Sequence, residues 1–225
     1  MVLTRSKLET RPSVVDQLIA AGKAFYSRNW VLGNAGNFSA VICRDPLQWV
    51  ITRNSAHKGN LTELDFVRMN DFGQSLDSGR EPPPESPLHR AIILKPDVEA
   101  VLHTHSVWSN VLSELYAHAG GLTMEGFEML KGLTSTGTHQ HTEWVPILEN
   151  LEDSATLSRR MTEMLSSNRG IHGILLRKCG CYTWGKTVND AIRQVEILEV
   201  LFEVLGRHLH ILTQLEINAQ NGTRM

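Results

Sequence analysis

The chain has 225 residues, 41% hydrophobic and 20% charged, with Lys+Arg 22 against Asp+Glu 24 and a formal net charge of -2. That length suits one well-cored domain over residues 1–225, and the charge balance excludes the basic footprint of a nucleic-acid or acidic-membrane binder. No apolar run approaches the ~20 residues of a spanning helix, no signal-like stretch opens the chain, and three cysteines make no disulfide framework, so a cytoplasmic setting is expected.

In chain order, Val14, Val15, Leu18, Ile19 and Phe25 recur near a 3.6-residue period and predict a helix over 13–27, capped by Ser13. Gly33-Asn34-Ala35-Gly36-Asn37 reads as a turn-rich loop before a strand at 38–43, whose hairpin partner is 49–52. Residues 54–60 read as a polar loop, and Thr62-Glu-Leu-Asp65 as a short helical turn. Glu81-Pro-Pro-Pro84-Glu85 is an extended connector to a helix capped by Ser86, with Pro87 in its first position, which Pro96 stops. Val98–His105 reads as a buried strand, followed by a helix from a Ser106 cap to about residue 117. A further helix spans 154–167, and 171–184 is strand-like with an interruption at Gly180. Thr187-Val-Asn-Asp190 opens a long amphipathic helix bearing Ile192, Val195, Leu198, Leu201, Phe202 and Leu205. Strands mixed with helices throughout predict an α/β sheet covered by helices.

Side chains i and i+2 share one face of a strand, so His103 and His105 project together from the end of the 98–105 strand. Neutral imidazoles suit Zn²⁺ and other borderline divalent ions. His-x-His alone is more often an ordinary strand-end pair. His139-Gln140-His141 repeats the pattern in a polar loop, where solvated histidines are the stronger reading. Context favours the first pair, because an apolar strand delivers it directly to a helix start. Leu176-Arg-Lys-Cys179-Gly-Cys181-Tyr offers a thiolate as third ligand, and Cys179 and Cys181 share a face if the strand continues past Gly180. Three protein ligands leave one position for substrate or water. Either cysteine taken alone is more often a small buried apolar residue.

Four segments in order resemble the class II aldolase/adducin superfamily: Gly36-Asn-Phe-Ser39, Pro84-Glu85-Ser-Pro-Leu-His89, Ala100-Val-Leu-His-Thr-His-Ser106, and Leu175–Gly185. Glu125-Gly-Phe-Glu128-Met-Leu-Lys131-Gly, Val145-Pro-Ile-Leu-Glu-Asn150 and Cys181-Tyr-Thr-Trp-Gly185 are similar to one branch, which eliminates water from a small phosphorylated ketose in methionine salvage. The similarity runs from about residue 13 to residue 210. It implies a three-layer α/β/α fold with a central, largely antiparallel sheet, and a homotetramer. It also implies a divalent ion, Zn²⁺ by preference, on His103 and His105, with Glu128 as the acid/base carboxylate.

The family's third ligand is a histidine in Arg-x-His-Gly; here that position is Cys179, and a His/His/Cys set is chemically sound. Where the branch has Ser-Gly-Arg-Asp-Lys-Gly, this chain has Asn54-Ser-Ala-His-Lys58-Gly59, which keeps Lys58 as a phosphate contact. Ser55 and His57 could compensate for the lost Arg with their own donors, and Asn37 and Ser39 could supply further donors from a Gly-rich loop, although such loops are more often plain turns. Glu125 rivals Glu128 as the base. Glu85, which the aldolase branch uses, is expected to be structural ahead of the Ser86 cap. Met124, Phe127 and Trp108 could line a pocket for the methylthio tail, although core roles are the better reading. A sugar-phosphate aldolase and a metal-poor, non-enzymatic adducin-like module are the competing functions.

Overall fold

Reciprocal bonds between Ser13 and Asp16 start the first helix, α1 (Val14–Ser27), as the capping pattern predicts. The computed structural model describes residues 12–133 and 141–222. Strands β1 (Phe38–Arg44) and β2 (Leu47–Thr52) form the expected hairpin. A 3₁₀ turn closed by Thr62 and Asp65 leads into β3 (Phe66–Asn70), a strand the sequence pattern does not reveal. In α2 (Ser86–Ile93) the cap position belongs to Glu85 rather than Ser86, and Pro87 sits one residue further in than expected.

β4 (Ala100–Thr104) is shorter than its apolar run, so His105 lies just beyond it. Ser106 then caps α3 (Val107–Leu115), its Oγ accepting the Ser109 N–H at 3.0 Å. β5 (Gly121–Met124) and β6 (Glu143–Leu148) follow, neither of them predicted. Asp153 caps α4 (Ser154–Ser167). The strand-like run 171–184 divides at 177–179, not at Gly180, into β7 (Gly173–Leu176) and β8 (Gly180–Gly185). α5 (Val188–Gly222) ends the described chain.

The sheet runs β3-β2-β1-β4-β8-β7-β6-β5, antiparallel except for the parallel pair β6–β7. Strand alternation sorts the core into two faces. Val101, Ile174, Leu176, Tyr182 and Trp184 point to one side, onto Leu88 and Ile92 of α2 and Leu157 and Met161 of α4. Ala100 and Leu102 point to the other, onto Leu18 and Phe25 of α1 and Val195 of α5. Leu175 and Cys181 join that side against Leu112 of α3 and Leu201 of α5. The result is the three-layer α/β/α arrangement, with His103 on the α2 side.

Two glycines hem in the end of β4. Gly36 has φ +76, and a Cβ there would overlap the His103 carbonyl oxygen. A Cβ on Gly180 would overlap the Thr104 carbonyl oxygen, where β8 runs beside β4. Backbone cannot yield as a flexible side chain does. Gly180→Ala should therefore cost about 1–3 kcal/mol, the range for overpacking. A lowered thermal midpoint in calorimetry is the expected readout; an unchanged midpoint would mean that β4 and β8 have room to part.

Candidate metal centre

His103, His105 and Cys179 come together from the end of β4 and the β7–β8 turn. Their ligand atoms all lie within 4.8 Å of one another. Cys179 Sγ is 3.7 Å from His103 Nε2, and the two imidazole centroids are 4.4 Å apart. The His103 ring stacks on Tyr182 at 3.9 Å and 16°. Backbone bonds fix the histidines: His103 N–H donates to Asn37 O (2.9 Å) and His105 N–H to Trp30 O (2.7 Å).

The turn that carries Cys179 is tied to α3, the helix that begins directly after His105. Asn110 Nδ2 donates to the Cys179 carbonyl at 2.9 Å, and the Lys178 N–H donates to Ser113 Oγ at 3.1 Å. Arg177 reaches Glu114 at 2.5 Å and Glu149 at 3.0 Å. Lys178 turns the chain with φ 55. The expectation that Cys179 and Cys181 share a strand face is overturned, because Cys179 belongs to this turn. Cys181 lies within β8, 2% exposed, and packs into the opposite core with Leu175 and Leu198. His139 lies outside the described residues, and His141 belongs to a different cluster.

Burial governs the charge states. It holds the His103 imidazole well below its usual pKa, with help from His105, His89 and Lys58. Burial and then Lys58 bring His105 down to about 4. Both rings are therefore neutral at pH 7, with lone pairs to offer. Burial and the Glu85 carboxylate push the Cys179 thiol up to about 11, so a cation entering there must displace its proton. Two neutral imidazoles and a thiol that can ionise against a cation form a donor set that fits a borderline divalent ion.

Among the described residues, five buried side-chain polar atoms have no hydrogen-bond partner, and four surround this place: Glu85 Oε2, His89 Nε2, His103 Nδ1 and the Tyr182 hydroxyl. The His89 and Tyr182 rings are 5.5 Å apart, and the Glu85 charge helps to raise both Cys179 and Tyr182. A buried polar atom left unpaired costs about 1–3 kcal/mol, so these four make the surroundings of the three candidate ligands polar and able to accept partners. Sequence patterning assigned Glu85 to structure and did not single out His89 or Tyr182 as site residues. The one available signal was their presence inside the quoted family segments.

The other predicted site residues divide. Lys58 is 1% exposed, and its Nζ donates to Asn34 O at 3.0 Å and Ala56 O at 2.7 Å. Burial lowers its pKa to about 8 against the opposing pull of Glu85 and Asp65. Asn37 Nδ2 is spent on Thr52 O (3.3 Å), and Ser39 Oγ lies 2.7 Å from His89 Nδ1. Glu128 stands apart: its side chain is 77% exposed and its carboxylate meets Lys131 Nζ at 2.6 Å. Lys131 lines a cleft with His172, Gly185 and Lys186, at the end of β7 and β8 opposite Cys179. Within one chain, then, Glu128 is not brought to the histidine–cysteine group. Met124 is buried, and Trp108 and Phe127 pack in the same core.

The class II aldolase and adducin N-terminal domain matches residues 16–205, and the chain belongs to that family, whose members typically depend on a divalent metal. Relatives narrow the branch. The methylthioribulose-1-phosphate dehydratase of Azotobacter vinelandii is 38% identical over 195 residues, covering 86% of this chain and 93% of the relative. That of Methylococcus capsulatus is 38% identical over 203 residues, covering 90% and 96%. Solved structures share the fold. An L-fuculose 1-phosphate aldolase matches with a TM-score of 0.72 at 19% identity, covering 90% of this chain and 89% of its own. A sugar-phosphate aldolase from Thermotoga maritima matches at 0.70 and 18%, covering 88% and 95%. No helix among the described residues is long and apolar enough to cross a membrane.

Lys58 yields a pH prediction. Its pKa falls from 10.5 in the unfolded chain to about 8 in the folded one. Between those values the unfolded chain keeps a proton that the folded chain releases. The cost of burying the ammonium is therefore fully present below pH 8 and fades as pH rises towards 10.5. Relative to Lys58→Met, the wild type should gain up to about 3 kcal/mol between pH 7 and pH 10. Denaturant titrations at both pH values check this, and a pH-independent difference would contradict it.

Proposed function

We propose that this chain is a metal-dependent hydro-lyase. It converts 5-methylthioribulose 1-phosphate to 2,3-diketo-5-methylthiopentyl 1-phosphate, in the cytoplasm and as a homotetramer, as a step of methionine salvage. The observation that carries this reading is the convergence of His103, His105 and Cys179 beside four partnerless polar atoms. It occurs in a chain 38% identical to proteins named for that dehydration.

His103, His105 and Cys179 would hold the ion, and the thiolate favours Zn²⁺. Bound there, it supplies Lewis acidity towards a carbonyl oxygen of the ketose. The chain's own groups handle the phosphate and the proton. Lys58 is charged at pH 7 and has spent two of its three N–H donors on Asn34 and Ala56, which leaves one for a phosphate oxygen. Asn37 and Ser39 brace the start of β1 through Thr52 and His89. A carboxylate takes the C3 proton and returns it to the C4 hydroxyl, which leaves as water, so the protons balance.

Glu128 is the carboxylate that the family resemblance supports. Because it pairs with Lys131 at the far end of β7 and β8, Glu128 in this role would serve a neighbouring subunit's centre in the proposed tetramer. One observation favours a second reading: Glu85 Oε2 is buried, without a partner, in the electrostatic neighbourhood of Cys179 and Tyr182. With Glu85 as the base, cleavage of the C3–C4 bond becomes the competing chemistry.

Glu128→Gln should lower turnover by about 10²–10⁴-fold while fold and metal content persist. Glu85→Gln, compared alongside, should retain most of its rate. The reverse pattern would transfer the role to Glu85, and a two-fragment product in place of a dehydrated diketone would make the enzyme an aldolase. Metal analysis supplies a further check: wild type should carry a divalent ion that Cys179→Ala loses. Undiminished content in that variant would remove Cys179 from the centre, and a wild type without an ion would favour the non-enzymatic module.

A further inference from the structure

A second group of ligating side chains lies at the other end of the sheet. β6 and β7 run parallel, so they begin side by side and the residues entering them are neighbours. His141 lies just before β6, Glu143 is its first residue, and His172 immediately precedes β7. Glu143 Oε2 is 2.7 Å from His141 Nε2 and 2.9 Å from His172 Nδ1. The other oxygen, Oε1, accepts the His172 backbone N–H at 3.0 Å. Glu143 is 1% exposed, whereas both histidines line a cleft of ≈ 990 Å³. Gln194 lines the same cleft, and its Oε1 is the fifth partnerless buried polar atom among the described residues.

A carboxylate this deeply buried requires compensation for its charge. Its ion pairs among the described residues are with those two histidines, and no lysine or arginine pairs with it. The lysines and arginines that line the cleft are held elsewhere: Lys131 by Glu128, Lys186 by Asp97, Arg193 by Asp190, and Lys95 over the Trp184 ring, 5.5 Å from its centroid. Compensation therefore comes from a proton on an imidazole or from a metal cation. Geometry points to the cation. Three different side chains each offer one ligating atom, both imidazole nitrogens converge on Glu143 Oε2, and all three atoms lie within 4.8 Å of one another. The rings stand at 87°, so neither blocks the other's approach to that oxygen. A divalent ion about 2.0–2.2 Å from each donor spreads tetrahedral ligands to about 3.4 Å, a shift of several tenths of an ångström from the present contacts.

We propose that His141, Glu143 and His172 form a second divalent-cation site, for zinc or a similar borderline ion, with its fourth position open to the cleft. The site is independent of the His103 centre and of the dehydratase reading. His172 precedes and Cys179 follows the four-residue β7, so roughly 13 Å of strand alone divides the two groups and no single ion serves both.

The experiment is Zn²⁺ equilibrium dialysis of the full-length protein, alongside His141→Ala, His172→Ala and Cys179→Ala. Truncating the buried Glu143 risks unfolding the sheet, so the partly exposed histidines are the test positions and circular dichroism verifies their folding. Cobalt substitution separates the sites spectroscopically, because only the Cys179 centre gives an intense thiolate-to-metal band. The expected result is two ions per wild-type chain. Each histidine variant should lose one while keeping the thiolate band, and Cys179→Ala should lose the band while keeping the second ion. A second ion that persists in both folded histidine variants would overturn the proposal. So would a wild type whose only bound ion carries the thiolate band, which would leave the proton as the partner of Glu143.

Discussion

The backbone of His103 and Thr104 runs between Gly36 on one side and Gly180 on the other, with no space for a Cβ on either. This crowding sets the spacing of β1, β4 and β8, whose registers pair Phe38 with Leu102 and Thr104 with Cys181. Once β4 is held there, strand alternation dictates the rest. Leu102 and Thr104 face α1 and α5, where Thr104 Oγ1 donates to the buried Glu199 at 2.7 Å. His103 must face α2, where Tyr182 stacks against it. α3 then carries the constraint onward, because it starts at Ser106 and grips the Cys179 turn through Asn110 and Ser113.

Desolvation makes the site responsive. It lowers Lys58 and raises Cys179 and Tyr182, in each case against the charged form. A cation beside the thiol and an anion beside the ammonium would relieve opposite halves of that burden, so ligands of opposite charge favour one another there. Four unpaired polar atoms in one place also run against the rule that interiors satisfy their hydrogen bonds. Such local violations are expected where a protein trades stability for a function.

Local signals were readable where they were strong. The Ser13 capping box, the 154–167 helix and the α5 stripe follow from residues within one or two turns of each other. β3, β5 and β6 escaped because their patterns are weak: β5 has four residues, and β6 contains Pro146, which ordinarily argues against a strand. Residues 177–179 supplied no glycine or proline to announce the turn, and Lys178 adopts φ 55 because α3 anchors it. Of the candidate site, the His103/His105 pair was legible from period-2 geometry together with the apolar strand that delivers it to a helix start. Glu85 was obscured by its place beside a plausible serine cap. The grouping of His141, Glu143 and His172 depends on a parallel pairing of strands 29 residues apart, which no local period records.

The ligating atoms of the candidate centre come from positions 76 residues apart, on either side of the β4–β8 seam. An ion held there would be a reversible cross-link closing a long loop of chain, and loops of that length are costly to close unaided. Metal supply would thus govern the lifetime of the folded sheet as well as its chemistry, since any ligand that binds only the folded form lowers the unfolded population. Cys179 would then act as the clasp of the fold.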